Sequence, residues 1–305
     1  MLWYRAAAPQ WDHALPLGNG RIGAMLFGSV SRERIQLNEE TLWMGSPRDR
    51  DNPDALAALP EVRRLLFAGM PVEANALAEK KLMGRPSRLE PYQTLGDLRL
   101  AFDHDGAITD YRRELDLDTA VARVTYRTGG VRYTREVFAS HPDQVLVVRL
   151  TADQPSALTV SVWIDRVQDA TTTIAGNDRL DLIGGLQGER GLSFQASVKI
   201  VSEGGTREAF PERILVDKAN AVTLVLAAAT SFHGAKPHER CDRDLAAASR
   251  QAYETLKARH TADYQRLFHR VSLRLSAPDT DGATSKLGAG TSARPYDAVQ
   301  PSLAC

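Results

Sequence analysis

From Leu95 to Thr230 the chain is patterned as strands separated by short turns, with no helical segment between them. Leu98, Arg99 and Leu100 alternate. Val121 to Tyr126 is a strand, Gly129-Gly130 a turn, and Val131 to Phe138 the returning arm of a hairpin. Val145 to Val148 is a denser apolar run. Leu158, Val160, Val162 and Ile164 fall on one face of a strand, because successive side chains alternate sides. Leu192 to Val201 and Val222 to Ala228 continue the series. Many strands without intervening helices argue against βαβ units and for an antiparallel β-sandwich. The expected fold is mainly β, an antiparallel sandwich (supersandwich) with a small helical insertion and a carboxy-terminal linker helix.

The flanks supply those helices. Residues 53–83 carry Leu65, Leu66, Ala74, Leu77, Ala78 and Leu82 at helical spacing, with Pro60 and Pro71 at expected helix starts. Residues 242–269 read as a helix capped by Asp242, with Leu245, Ala248, Ala252, Leu256, Tyr264, Leu267 and Phe268 on one apolar face. Residues 276–305 are rich in Ala, Gly, Ser, Thr and Pro without periodicity and read as disordered or frame-disrupted. The expected domains are 1–240, a sandwich; 241–275, a helical linker; and 276–305, a tail.

Composition excludes some classes of partner. Lys plus Arg and Asp plus Glu both number 38, so no net charge favours nucleic acid or an anionic membrane. No stretch approaches the ~20 apolar residues of a membrane span. Cys241 and Cys305 give no disulfide framework. Met1 to Trp11 lacks the basic-then-apolar pattern of a secretory signal, so the chain as written reads as cytoplasmic by default, export remaining open for longer relatives.

Several motifs invite catalytic readings. Gly18-Asn19-Gly20-Arg21-Ile22-Gly23 matches the dinucleotide fingerprint, but a strand rather than a helix is expected after it, so it reads as a glycine turn. Glu39 and Glu40 are adjacent; in a strand they point to opposite faces and cannot flank one glycosidic bond. The expectation is one glutamate in a structural hydrogen bond and the other exposed. His233, His238 and Cys241 lack a second ligand pair for zinc. The stretch holding Asp103, Asp105, Asp110, Glu114, Asp116 and Asp118 reads as solvated strand edges and turns. His13, beside the glycine turn, is the histidine closest to the candidate residues.

Five ordered segments resemble glycoside hydrolase family 95: Leu15-Pro16-Leu17-Gly18-Asn19-Gly20-Arg21-Ile22-Gly23, following Trp3 and Trp11; Leu37-Asn38-Glu39-Glu40-Thr41-Leu42-Trp43; Tyr92-Gln93-Thr94-Leu95-Gly96-Asp97-Leu98; Tyr111 to Ala120; and Arg135 to Ser140. The resemblance covers roughly residues 1–275. It implies an amino-terminal β-sandwich followed by a helical linker, an (α/α)6 barrel and a small β domain. The implied activity is inverting hydrolysis of α-L-fucosides, often Fuc-α1,2-Gal ends, or of α-L-galactosides in some members, without metal or organic cofactor. The implied general acid, a glutamate, and the asparagines and aspartate that activate water belong to the barrel, so no catalytic residue maps onto this chain.

The chain is therefore expected to be an amino-terminal domain, truncated and inactive alone, with the barrel as its natural packing partner. The alternative is a carbohydrate-binding or purely structural sandwich. Trp43 or Trp11 would stack on a pyranose, and Asn19, Asn38 and one of Glu39 and Glu40 would meet its hydroxyls. Against this, Trp43 also suits a core and Asn38 a turn. The expected ligand is a fucosylated glycan or another neutral carbohydrate.

Overall fold

The computed structural model describes residues 1–45, 48–104, 106–186, 191–232, 234 and 236–272. The expected tail, Cys305, Asp105 and His233 lie outside the described residues. Contacts divide the chain into two compact units, one of Met1–Leu42, Thr94–Gly185 and the chain from Ser193, the other of Trp43–Gln93 and Leu186–Leu192.

The first unit is mainly β and holds two antiparallel sheets. The larger runs β1 (Leu2–Tyr4), β6 (Thr109–Asp116), β7 (Val121–Thr128), β8 (Val131–Ser140), β9 (Val145–Ala152), β16 (Ala221–Thr230), β13 (Ser193–Glu203), β12 (Arg179–Gly185) and β11 (Ala170–Ala175). The smaller runs β14 (Thr206–Phe210), β15 (Arg213–Ala219), β10 (Leu158–Asp165), β5 (Gly96–Phe102), β4 (Arg32–Glu39), β3 (Ile22–Leu26) and β2 (Leu15–Gly18). The sheets face each other as the expected sandwich. β10 shows how the sequence places itself: Leu158, Val160, Val162 and Ile164 are buried, while Thr159, Ser161, Trp163 and Asp165 lie on the other face, half-buried.

β16 obeys a different rule. Its ten residues are all buried, because both of its faces are covered. Leu224, Leu226 and Ala228 face the sandwich interior. Val225, Ala227 and Ala229 face a second apolar layer with Val145, Val147, Cys241, Leu245, Ala248 and Leu256. That layer is supplied by α3 (Pro237–Ala248) and α4 (Tyr253–Phe268). The small side chains of Ala227 and Ala229 let α3 approach the strand closely.

This corrects the single helix expected over 242–269. The chain forms two helices, the first beginning at Pro237 after Lys236, so Asp242 lies inside a helix and caps nothing. Proline at the first helical position needs no donor there, which sets the start. The apolar face is also spent differently. Leu256 is fully buried against the larger sheet, and Tyr264 donates its hydroxyl to the Leu117 carbonyl at 2.8 Å. Without the barrel, Leu256, Tyr264, Leu267 and Phe268 are expected from the sequence to stand exposed as a patch; only Leu267 and Phe268 do. Glu114, expected on a solvated edge, is buried between the Arg112 and Arg123 guanidinium groups.

The second unit contains α1 (Ala55–Phe67) and α2 (Pro71–Lys81), which share a small core of Val62, Leu65, Ala74, Leu77, Ala78 and Leu82. Pro71 begins α2 as expected. Pro60 does not begin α1 but sits in its interior, where the missing N–H leaves the Leu56 carbonyl without its helical donor. Leu66 is exposed, not core.

One polar contact docks α4 on the larger sheet. Glu136 on β8 accepts from the Tyr253 hydroxyl at 2.6 Å, the Lys257 ammonium at 3.0 Å and the Arg123 guanidinium at 2.7 Å. Burial pushes its carboxyl pKa up, but these hydrogen bonds together outweigh that and hold it at about 2, against an ordinary 4.5. A depressed carboxylate stabilises the fold above its unfolded pKa and loses that contribution as pH falls towards the folded one. Glu136→Gln is expected to lower unfolding free energy by about 2 kcal/mol near neutral pH. In urea titrations the gap to wild type should narrow as the pH falls below about 4.5 and should nearly close by about pH 3. A gap independent of pH would contradict the assignment.

Candidate functional site

Four of the residues singled out in the sequence, Asn19, Asn38, Glu39 and Glu40, lie on or beside the turn between β2 and β3. Gly20 takes φ +92°, a conformation that side chains disfavour, and this makes the turn tight. Asn19 holds it from within: its Oδ1 accepts from the backbone N–H of Arg21 at 3.0 Å and of Ile22 at 2.8 Å. Its Nδ2 donates to the Ser140 carbonyl at 2.9 Å, tying the turn to the end of β8. Strands precede and follow this turn, so the glycine fingerprint is a hairpin and offers no helix N-terminus to a pyrophosphate.

The turn delivers Arg21 into a buried junction. Its Nε donates to Gln144 Oε1 at 2.6 Å, Nη2 to the Gln144 carbonyl at 3.1 Å, and Nη1 to the Ala228 carbonyl of β16. Glu39 of β4 and Asp244 of α3 lie 3.7 Å from the guanidinium, close enough for charge attraction and too far for a direct hydrogen bond. Burial, and then the neighbouring Arg240, pull Arg21 below the ordinary arginine pKa against the pull of Glu39 and Asp244. A neighbouring contact fastens the same corner. Asp143 accepts from the Ser140 hydroxyl at 2.7 Å and pairs with Arg259 of α4 at 3.0 Å.

Glu39 and Glu40 separate as strand geometry requires. Glu39 is buried, its Oε2 accepting from Thr41 N–H at 2.8 Å and Thr41 Oγ1 at 2.6 Å. Glu40 is exposed, and its backbone N–H donates to the Arg21 carbonyl at 2.9 Å. Asn38 is half-buried beside Gly23, with its Oδ1 out of water and not hydrogen-bonded among the described residues. Trp43 belongs to the second unit, where it is 46 % exposed and meets Tyr92 edge-on, ring centroids 5.1 Å apart. Trp11 is exposed in a single 3₁₀ turn, and the adjacent His13 carbonyl accepts from Arg113 at 2.9 Å.

Beside the glycine turn lies a pocket of about 330 Å³, bounded by Gly18, Asn19, His141, His260, Asp263 and Tyr264. His141 Nδ1 stands 3.6 Å from Asp263. His260 stacks on Phe138, and its Nε2 lies 3.0 Å from the Thr119 carbonyl. Burial lowers its pKa, keeping the ring neutral.

The chemistry open to this arrangement is decided by its carboxylates. A glycosidase acid or base must face the scissile bond in a cleft. Seven carboxylates are buried among the described residues, Glu33, Glu39, Asp97, Glu114, Asp143, Asp181 and Asp244. Each has a guanidinium partner: Arg135, Arg21, Arg34, Arg123, Arg259, Arg179 and Arg21 respectively. Groups so committed hold elements of the fold in place. Among the described residues no group of three or more His, Cys, Asp or Glu is placed to hold a metal ion, and no helix is long and apolar enough to cross a membrane. The Cys241 thiol, fully buried on the inner face of α3, is pushed up to about 12 by burial, which disfavours the reactive thiolate.

Sequence reading missed Arg21, Gln144, Asp143 and Asp244. Arg21, Asp143 and Gln144 lie in turns and Asp244 in a helix, where polar residues are ordinary, and the partners that bury them lie more than a hundred residues away in the chain.

Two facing antiparallel sheets with ion pairs at their junctions define a β-sandwich domain. Comparison with known proteins specifies it further. The family model described as Glycosyl hydrolase family 65, N-terminal domain, matches residues 2–235, and the chain belongs to that family of glycosyl hydrolase amino-terminal domains. It is 36 % identical to Alpha-L-fucosidase 2 of Arabidopsis thaliana, over 92 % of this chain and 37 % of that protein. It is 30 % identical to a Probable alpha-fucosidase A of Aspergillus niger, over 90 % of this chain and 37 % of the relative. The chain thus spans a little over a third of these curated relatives. A solved structure, a putative kojibiose phosphorylase from human microbiome, superimposes with a TM-score of 0.52 at 9 % identity, over 83 % of this chain and 35 % of that one, which shows a shared fold.

Arg21→Met should strand Glu39 and Asp244 in a dry junction. The expected loss is about 3–5 kcal/mol of unfolding free energy, measured by chemical denaturation. A loss below about 1 kcal/mol would mean that the junction is held by packing alone.

Proposed function

We propose that this chain is the amino-terminal sandwich of an α-L-fucosidase of the family 95 kind, a domain that supports the hydrolase and does not itself break the glycosidic bond. The observation that carries this reading is the identity to Alpha-L-fucosidase 2 along 92 % of the chain. The phosphorylase shares the fold at 9 % identity, so likeness to it adds no activity. The five segments resembling family 95 favour that placement over family 65, whose amino-terminal domain model also fits.

In this reading residues 1–240 form the sandwich, 241–275 lead towards a catalytic barrel, and the substrate of the whole enzyme is a neutral, fucosylated glycan. The commitment of every described buried carboxylate to an arginine supports a positioning role. Asn38, whose amide oxygen has no hydrogen-bond partner among the described residues, and the exposed Glu40 are the residues of the first unit assigned to sugar; Trp43, in the second unit, is assigned to sugar on its own, as an exposed aromatic ring. Asn19 and Glu39 serve by holding the turn and strand that carry them.

The test is a chimaera in which residues 1–272 replace the aligned segment of the Arabidopsis α-L-fucosidase. A folded chimaera is expected to release the aryl group from an aryl α-L-fucoside within about tenfold of the parent rate, a barrier difference of about 1.4 kcal/mol. A folded, soluble chimaera with no fucoside turnover would contradict the proposal.

A further inference from the structure

A second pocket lies away from the glycine turn, on the outer face of the smaller sheet. It encloses about 320 Å³ and is lined by Trp163, Phe210, Pro211, Glu212 and Arg213. Its origin is local. β14 and β15 form a hairpin in which Phe210 pairs with Arg213 across the two-residue turn Pro211-Glu212. On the next strand Val162 pairs with Ile214, so one step further Trp163 comes level with Arg213 at the same end of the sheet. Strand alternation turns Trp163 away from the core occupied by Val162 and Ile164.

An aromatic side chain on the outer face of a strand needs a reason to be held there, and here it is held. The Trp163 indole N–H donates to Asp165 Oδ2 at 3.1 Å, and Arg99 fixes the same oxygen at 2.7 Å. Arg99 also pairs with Asp97 at 2.9 Å, whose other oxygen takes Arg34 at 2.9 Å. The ring therefore sits at the end of a chain of ion pairs running across β10, β5 and β4, with its polar edge committed inward. On the hairpin side the Arg213 guanidinium lies 4.9 Å from the Phe210 ring centre and orients that ring as well. Two ordered aromatic rings are thus bordered by an exposed carboxylate, Glu212, and an exposed guanidinium, Arg213.

We propose that this pocket is a carbohydrate-binding subsite for the end of a neutral oligosaccharide. The apolar C–H face of a pyranose fits an aromatic ring, and its ring hydroxyls fit planar carboxylate and guanidinium groups placed at the rim. The volume is at the small end of ligand pockets and suits a mono- or disaccharide end. An acidic ligand is disfavoured because Glu212 stands at the rim; an apolar ligand would leave the charged rim unused. The choice of a sugar over other small neutral polyols rests on the glycoside hydrolase reading. The function of the subsite would be to retain a glycan near the enzyme, raising its local concentration.

The four tryptophans give a direct readout by nuclear magnetic resonance of indole N–H groups in the whole chain. The Trp163 signal is identified with Trp163→Phe. Titration with 2′-fucosyllactose, lactose and maltotriose is expected to move that signal. Isothermal titration calorimetry with the same sugars should show binding weakened about tenfold by Trp163→Ala and several-fold by Phe210→Ala, aromatic contacts of this kind being worth about one tenfold step each at most. Circular dichroism checks that the variants fold; should Trp163→Ala unfold, Phe210→Ala and Glu212→Ala decide. Equal binding of fucosylated and plain sugars through Trp163 supports the subsite, while the fucosidase reading still turns on the chimaera. No movement with any of the three sugars overturns the subsite, as does calorimetric binding undiminished in both Trp163→Ala and Phe210→Ala.

Discussion

The contact on which this architecture depends is Arg21 in its buried junction. One guanidinium reaches the β8–β9 turn through Gln144, the central strand β16 through the Ala228 carbonyl, β4 through Glu39 and α3 through Asp244. Burying such a cation costs several kcal/mol and is tolerable only because hydrogen bonds and opposite charges converge on it. What is gained is specification. Strands from opposite sheets and a helix far along the chain can meet at Arg21 in one arrangement only, and the tight turn at Asn19 and Gly20 fixes where the guanidinium enters.

The same economy recurs elsewhere. Glu33 of β4 lies wholly buried against Arg135 of β8, with the Gly28 N–H donating to its other oxygen at 2.9 Å, so sheet faces packed with apolar side chains are also pinned by charge. Burial pushes the Glu33 carboxyl pKa up, and the Arg135 charge and backbone N–H groups pull against that. Arg113 passes close over Gly28, where any Cβ would collide with its stem. These pairs explain how the domain holds many buried acids: among the described residues each has a guanidinium beside it.

Much of the fold was legible because its signals are local. The 121–138 hairpin, the alternation in β10 and the helical spacing over 53–83 depend only on neighbours within a few residues. The edge strands β11 and β14 were not marked, since Thr-rich and charged segments with exposed faces lack an apolar period. The two-helix break near Ser249 and the burial of Leu256 were missed for another reason: the apolar face of a helix shows that it is covered without naming the cover. Here β16 is the cover, and its ten buried residues in a row were the overlooked hint. At the site, the opposite facing of Glu39 and Glu40 followed from strand geometry alone. The roles of Asn19 and Arg21 did not, because Ser140, Gln144 and Asp244 reach them only through the fold.

In the proposed function the buried carboxylates of this domain are structural, and the domain has no hydrolytic chemistry of its own. The most direct measurement is the release of free fucose from 2′-fucosyllactose and of phenol from an aryl α-L-fucoside by the purified 305-residue chain. No release above the uncatalysed background is expected across the pH range in which the chain stays folded. Turnover at about one per second or faster, within the ordinary range of enzymes, would show that an acid and a base are at work in this chain and would contradict the account.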